Sequence, residues 1–177
     1  MRRFLDRLYD GAGALGAFCV FLIFVLMILA GVGRQMNWHV SGLNDIVSWL
    51  CAAAAFFAMA HAFKHGDFVR VTLLLEKLPP GVVRRLELVA LTIGAAATGY
   101  LAWWANVFTY ESWQFNDIAQ GLLPLPMWIP QLSFALGSIL LFVALLDEWV
   151  IVVRGGRPSY VVAVEQRHAQ GDFSSDV

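Results

Sequence analysis

Charge is what this sequence lacks. Only 14% of its 177 residues are Asp, Glu, Lys or Arg, while 59% are hydrophobic, and the mean hydropathy is +0.67. A water-soluble surface needs roughly a quarter of its residues charged, so a soluble globular domain is excluded and lipid is the solvent that fits. No run of Lys or Arg exceeds two residues and the net charge is -1, which leaves no surface for nucleic acid. The two cysteines, Cys19 and Cys51, both lie in apolar segments and read as small hydrophobes rather than a disulfide framework. No nucleophile–base constellation, glycine-rich phosphate loop or metal spacing occurs. The chain is therefore not expected to be an enzyme, to carry catalytic or metal-binding residues, or to hold a cofactor.

What is present is a set of long apolar runs. Residues 12–33 hold no charge at all, and at about 1.5 Å per residue they reach about 33 Å, enough for a bilayer core of roughly 30 Å. That run is too long for a signal peptide and three more follow, so it reads as a retained first transmembrane helix. The others cover about 43–63, 86–110 and 128–153. Backbone amides in lipid must be bonded within the chain, which favours four helices over any sheet. The fold class expected is an all-α membrane protein, with a membrane domain over 1–153 and a polar, loosely ordered tail over 154–177. Of the 12 basic residues, only Arg34 falls on the side opposite the termini. The positive-inside bias then places both termini and the 64–85 loop in the cytoplasm. That loop alternates apolar residues with Lys64, Arg70 and Lys77, the pattern of a short helix lying in the interface and ended by Pro79-Pro80-Gly81.

Few residues invite a site. His61 and His65 share one helix face, but a haem between helices takes ligands from two of them, and the other three spans have no histidine. Polar capping at the helix mouth is the simpler role. Arg34 and Asp45 flank the first outward loop and are expected to pair across it; Asp147 and Glu148 are expected to pair with nearby Arg154 and Arg157. Ala54, Ala58 and Ala62 recur every four residues, as do Ala95 and Gly99. Such stripes let helices approach closely, either within the chain or against a partner. The seven tryptophans fall mostly near span ends, as an aromatic belt does. "GLLPLPMWIPQ", residues 121–131, holds three of the six prolines. Pro130 suits a helix first turn, Pro124 and Pro126 stiffen the approach, and Trp128 anchors at the interface.

Three stretches are similar to a known family. Arg34 closing the first span ahead of Asn44-Asp45, "AFKHGDFVRVTLLLEKLP" (62–79) and "LPLPMWIPQLSFALG" (123–137) resemble the small membrane subunit, DctQ type, of tripartite ATP-independent periplasmic (TRAP) transporters, over about 26–146. Relatives often carry a paired acid at Asn44-Asp45, an acid at Thr72, a histidine at Phe68 and an arginine at Ser48; those contacts are not carried over. The resemblance implies a multi-pass subunit of a bacterial inner-membrane importer. Its partners would be a large multispanning TRAP subunit, which binds sodium and the organic acid, and a periplasmic substrate-binding protein. The small subunit would scaffold the large one and extend the docking rim, for which Arg34, Asp45, Leu125, Met127 and Trp128 are the candidates. The alternative class is the membrane anchor of a redox complex, which would need haem or quinone ligands.

Overall fold

In the computed structural model, residues 2–36, 41–67 and 79–169 are described. Five helices account for most of them: α1 (Arg2–Gln35), α2 (Leu43–His65), α3 (Pro80–Gln114), α4 (Trp128–Val153) and α5 (Ser159–Ala169). The first four are long and apolar enough to cross a membrane. Among the described residues there is no strand, only an isolated antiparallel bridge between Ile118 and Pro126.

The helices outrun the apolar segments that mark them. Helix α1 begins ten residues before 12, because Leu5, Leu8 and Tyr9 form an apolar face that packs on Ala60 and Ala144. Helix α3 begins at Pro80, where a missing N–H costs nothing, and runs past 110 to Gln114. At about 1.5 Å per residue its length is about 52 Å, so its ends project beyond a core of about 30 Å. Asn116, at φ 51°, closes α3, and the Asp117 N–H reaches back to the Ser112 carbonyl at 3.0 Å.

The membrane helices form an open row. Helix α1 packs on α2, α2 on α4, and α4 on α3, so the order across the layer is α1–α2–α4–α3. Helix α4 is central, with 39% of its most apolar stretch buried against 11% for α1 at the edge. Small residues set the spacing. A Cβ on Gly16 would lie 3.1 Å from the Ala54 carbonyl oxygen and 3.4 Å from Ala58 Cβ, so the Ala54–Ala58 stripe serves the α1–α2 contact. Ala95 is buried beside Leu145, and a Cβ on Gly99 would meet the Phe142 ring at 2.8 Å. The α2–α4 crossing turns on Gly137, whose added Cβ would stand 2.7 Å from the Phe56 carbonyl carbon and oxygen. Beside it Phe56 and Phe134 meet edge to face at 4.5 Å.

Several hydroxyls inside the spans are absorbed locally. Thr92, Thr98, Thr109 and Ser138 each donate to a carbonyl three or four residues back. That satisfies the hydroxyls without opening a polar path through the layer.

The tail differs from expectation. Residues 159–169 form α5 and dock against the end of α2, with Tyr160 buried against Phe63. Tyr160, Val161 and Val164 supply an apolar face that a loose polar tail would leave in water. The interfacial helix expected between α2 and α3, with Arg70 and Lys77, lies outside the described residues. Lys64, assigned to the same segment, sits instead in the last turn of α2.

Candidate functional site

At the end of the layer that carries both termini, α2 stops at Gly66. Its φ of 76° suits glycine, and a Cβ there would also strike the Tyr160 carbonyl of α5 at 2.8 Å. Two residues earlier Lys64 is buried, and its Nζ donates to Asp147 Oδ2 at 2.8 Å and Glu148 Oε1 at 3.1 Å on α4. Glu148, with no exposed surface, spends its second oxygen on the Ser159 N–H at the start of α5 (2.8 Å). The Lys64 ammonium also lies 5.6 Å from the centre of the Tyr9 ring on α1. One lysine thus ties four helices together.

These contacts correct the expected pairing. Asp147 and Glu148 take Lys64, not Arg154 or Arg157. The chain leaves α4 through Gly155 at φ 83°, and Arg157 then pairs with Glu165 on α5. Arg167 reaches back to Asp67 at 2.7 Å and to the His65 carbonyl. Arg84 of α3 donates to the last carbonyls of α4, Val152 at 3.2 Å and Val153 at 3.1 Å, where the negative end of the helix dipole favours a cation.

The opposite end is built around the proline-rich lead-in to α4. The Ala119 N–H donates to the Leu125 carbonyl and the Met127 N–H to the Asp117 carbonyl, at 2.9 and 2.8 Å, folding 117–127 back on itself. Asp45 in the first turn of α2 accepts the Leu122 N–H at 2.9 Å. Asp45 therefore clasps the lead-in rather than Arg34, which is exposed and makes no ion pair among the described residues. Gly42, at φ 82°, lets Leu123 seat directly on the chain. Leu125 is 39% exposed, while Met127 and Trp128 are half-buried. Beneath the rim lies an apolar hollow of about 210 Å³ lined by Ile46, Trp49, Leu50, Ala53, Leu125 and Ile129, among others.

Between the two ends, the edge helices present large apolar surfaces. On α1, Phe18, Phe21 and Phe24 are exposed, and on α3, Tyr100, Trp103, Trp104 and Phe108. Water would not tolerate such faces; lipid or another membrane protein would.

A family model described as "Tripartite ATP-independent periplasmic transporters, DctQ component" matches residues 23–155, well over half of the chain. The chain belongs to the DctQ family. It is thus a TRAP transporter component, a multi-pass protein of the inner membrane, and the matched region covers α2, α3, α4 and the last part of α1. Among curated proteins nothing matches. The DctQ match stops at residue 155, just short of α5, so the α5 residues Ser159 and Arg167 that reach Glu148 and Asp67 lie outside the matched range.

Proposed function

We propose that this DctQ chain is the non-catalytic small permease subunit of a sodium-coupled organic acid importer. It braces a large elevator-type subunit that binds sodium and substrate, and it extends the rim on which a periplasmic binding protein docks. Both termini face the cytoplasm in this reading, in line with the basic residues gathered at that end of the layer. The observation that carries it is the open row. Four helices with threonine and serine hydroxyls spent on internal ties and aromatic edges left uncovered suit bracing, whereas a transporter site needs broken helices around midplane polar groups.

The outer rim of Arg34, Asp45, Leu125, Met127 and Trp128 belongs to the docking surface in this proposal. Support comes from its exposure at Leu125 and its stiffening by the Asp45 clasp. The test is reconstituted uptake. Liposomes holding the large subunit, this chain and the binding protein take up substrate under an inward sodium gradient; liposomes lacking this chain do not. Leu125→Asp with Met127→Asp lowers uptake while the membrane complex still assembles. Uptake by the large subunit alone, or by this chain alone, overturns the proposal.

A further inference from the structure

We infer that Asp10, His61 and His65 form a binding site for a divalent transition-metal ion such as Zn²⁺, clamping α1 to α2. Each of the three residues offers one ligand atom, and these atoms lie within 4.8 Å of one another. His61 Nδ1 is sealed from solvent without a hydrogen-bond partner and faces Asp10 Oδ1 at 3.3 Å. Two ligands at the usual 2.0–2.2 Å from a tetrahedral zinc stand about 3.4 Å apart, so that pair is already spaced for one ion.

The second histidine is oriented for the same task. His65 Nδ1 lies 3.0 Å from the His61 carbonyl oxygen. A carbonyl has no proton to give, so Nδ1–H donates and Nε2 keeps the free lone pair. A backbone carbonyl holding the far ring nitrogen is the usual support of a metal-bound histidine. The two rings lie side by side, their centres 4.1 Å apart. Room for them comes from α1, because a Cβ on Gly13 would press on His61 Cγ at 2.8 Å and Nδ1 at 3.0 Å.

Donor chemistry sets the class of ion. Two imidazoles and one carboxylate suit Zn²⁺, Co²⁺, Ni²⁺ or Cu²⁺, while Mg²⁺ and Ca²⁺ favour all-oxygen sites. Asp10 is 61% exposed and leaves an open side where water completes four-coordination. The ion would act near the start of α1, just before Gly13 and Gly16 meet α2.

The full-length chain, purified in detergent without a polyhistidine tag and stripped by chelator, is titrated with Zn²⁺ alone and with Co²⁺ alone. One equivalent binds, Co²⁺ gives the visible absorption of a tetrahedral site, and Zn²⁺ raises the melting temperature. Asp10→Asn and His65→Gln change exposed side chains and so keep the fold. Each weakens Zn²⁺ binding by at least the roughly 10–100-fold that disturbing even an outer partner of a bound histidine costs. Gly13→Ala, which displaces the His61 ring, weakens it as well. Absence of a saturable equivalent, or equal affinity in wild type and both ligand variants, overturns the site and leaves an ordinary histidine–aspartate ion pair.

Discussion

Lys64→Met destabilises the folded chain by about 3–5 kcal/mol, the usual cost of removing one partner from a buried ion pair. Methionine keeps the length and apolar stem of the lysine, so packing changes little and the lost charge dominates. What remains is two adjacent carboxylates, one fully buried at Glu148 and one 20% exposed at Asp147, with their cation gone. Glu148→Gln costs much less. Lys64 keeps Asp147 at 2.8 Å, and the amide oxygen of glutamine still accepts the Ser159 N–H. Thermal unfolding in detergent reads the order directly: wild type, then Glu148→Gln, then Lys64→Met well below both. In Lys64→Met, the α5 backbone amides also lose protection from hydrogen exchange, because their anchor on Glu148 depends on the same cluster. Equal melting temperatures for the two variants would show that the cluster is not the tie between helices.

Two glycines then separate kinds of close packing. Gly137→Ala places a methyl 2.7 Å from the Phe56 backbone, and Gly99→Ala places one 2.8 Å from the edge of the Phe142 ring. Overpacking of this kind costs about 1–3 kcal/mol before relaxation. A ring can be shortened, a backbone cannot. Phe142→Leu therefore restores much of the stability lost in Gly99→Ala, whereas Phe56→Ala leaves Gly137→Ala as damaged as before and adds a cavity of its own. The Gly137 variant also separates α2 from α4, the central contact of the row, so it lowers the yield of folded chain more than the Gly99 variant does. Double-mutant cycles on melting temperature measure both couplings.

Sequence legibility followed the strength of the local signal. The bounds of α4 coincide with the apolar run 128–153, because the prolines before it and the basic turn after it are sharp boundaries. Helices α1 and α3 begin ahead of the apolar runs 12–33 and 86–110, since amphipathic turns outside the hydrocarbon carry charge and look like loop. Helix α5 is hidden for the same reason, although Pro158 followed by Tyr160, Val161 and Val164 holds a helical apolar face. The partners of Asp147 and Glu148 were misjudged by nearness along the chain. Lys64 is more than 80 residues away, and only the α2–α4 crossing brings it in. Gly137 gives no sequence signal of its own, because a single glycine does not form a stripe. Asp10 is far from His61 along the chain, and only the α1–α2 contact brings the two together.

In the function proposed above, this chain's uncovered faces seat a larger membrane partner. Purification from native inner membranes in mild detergent, followed by mass measurement and an absorption spectrum, tests it most directly. The expected result is a stoichiometric complex with a protein of about a dozen transmembrane helices and no Soret band. A monodisperse monomer, or a haem-bearing complex with a redox enzyme, would contradict it.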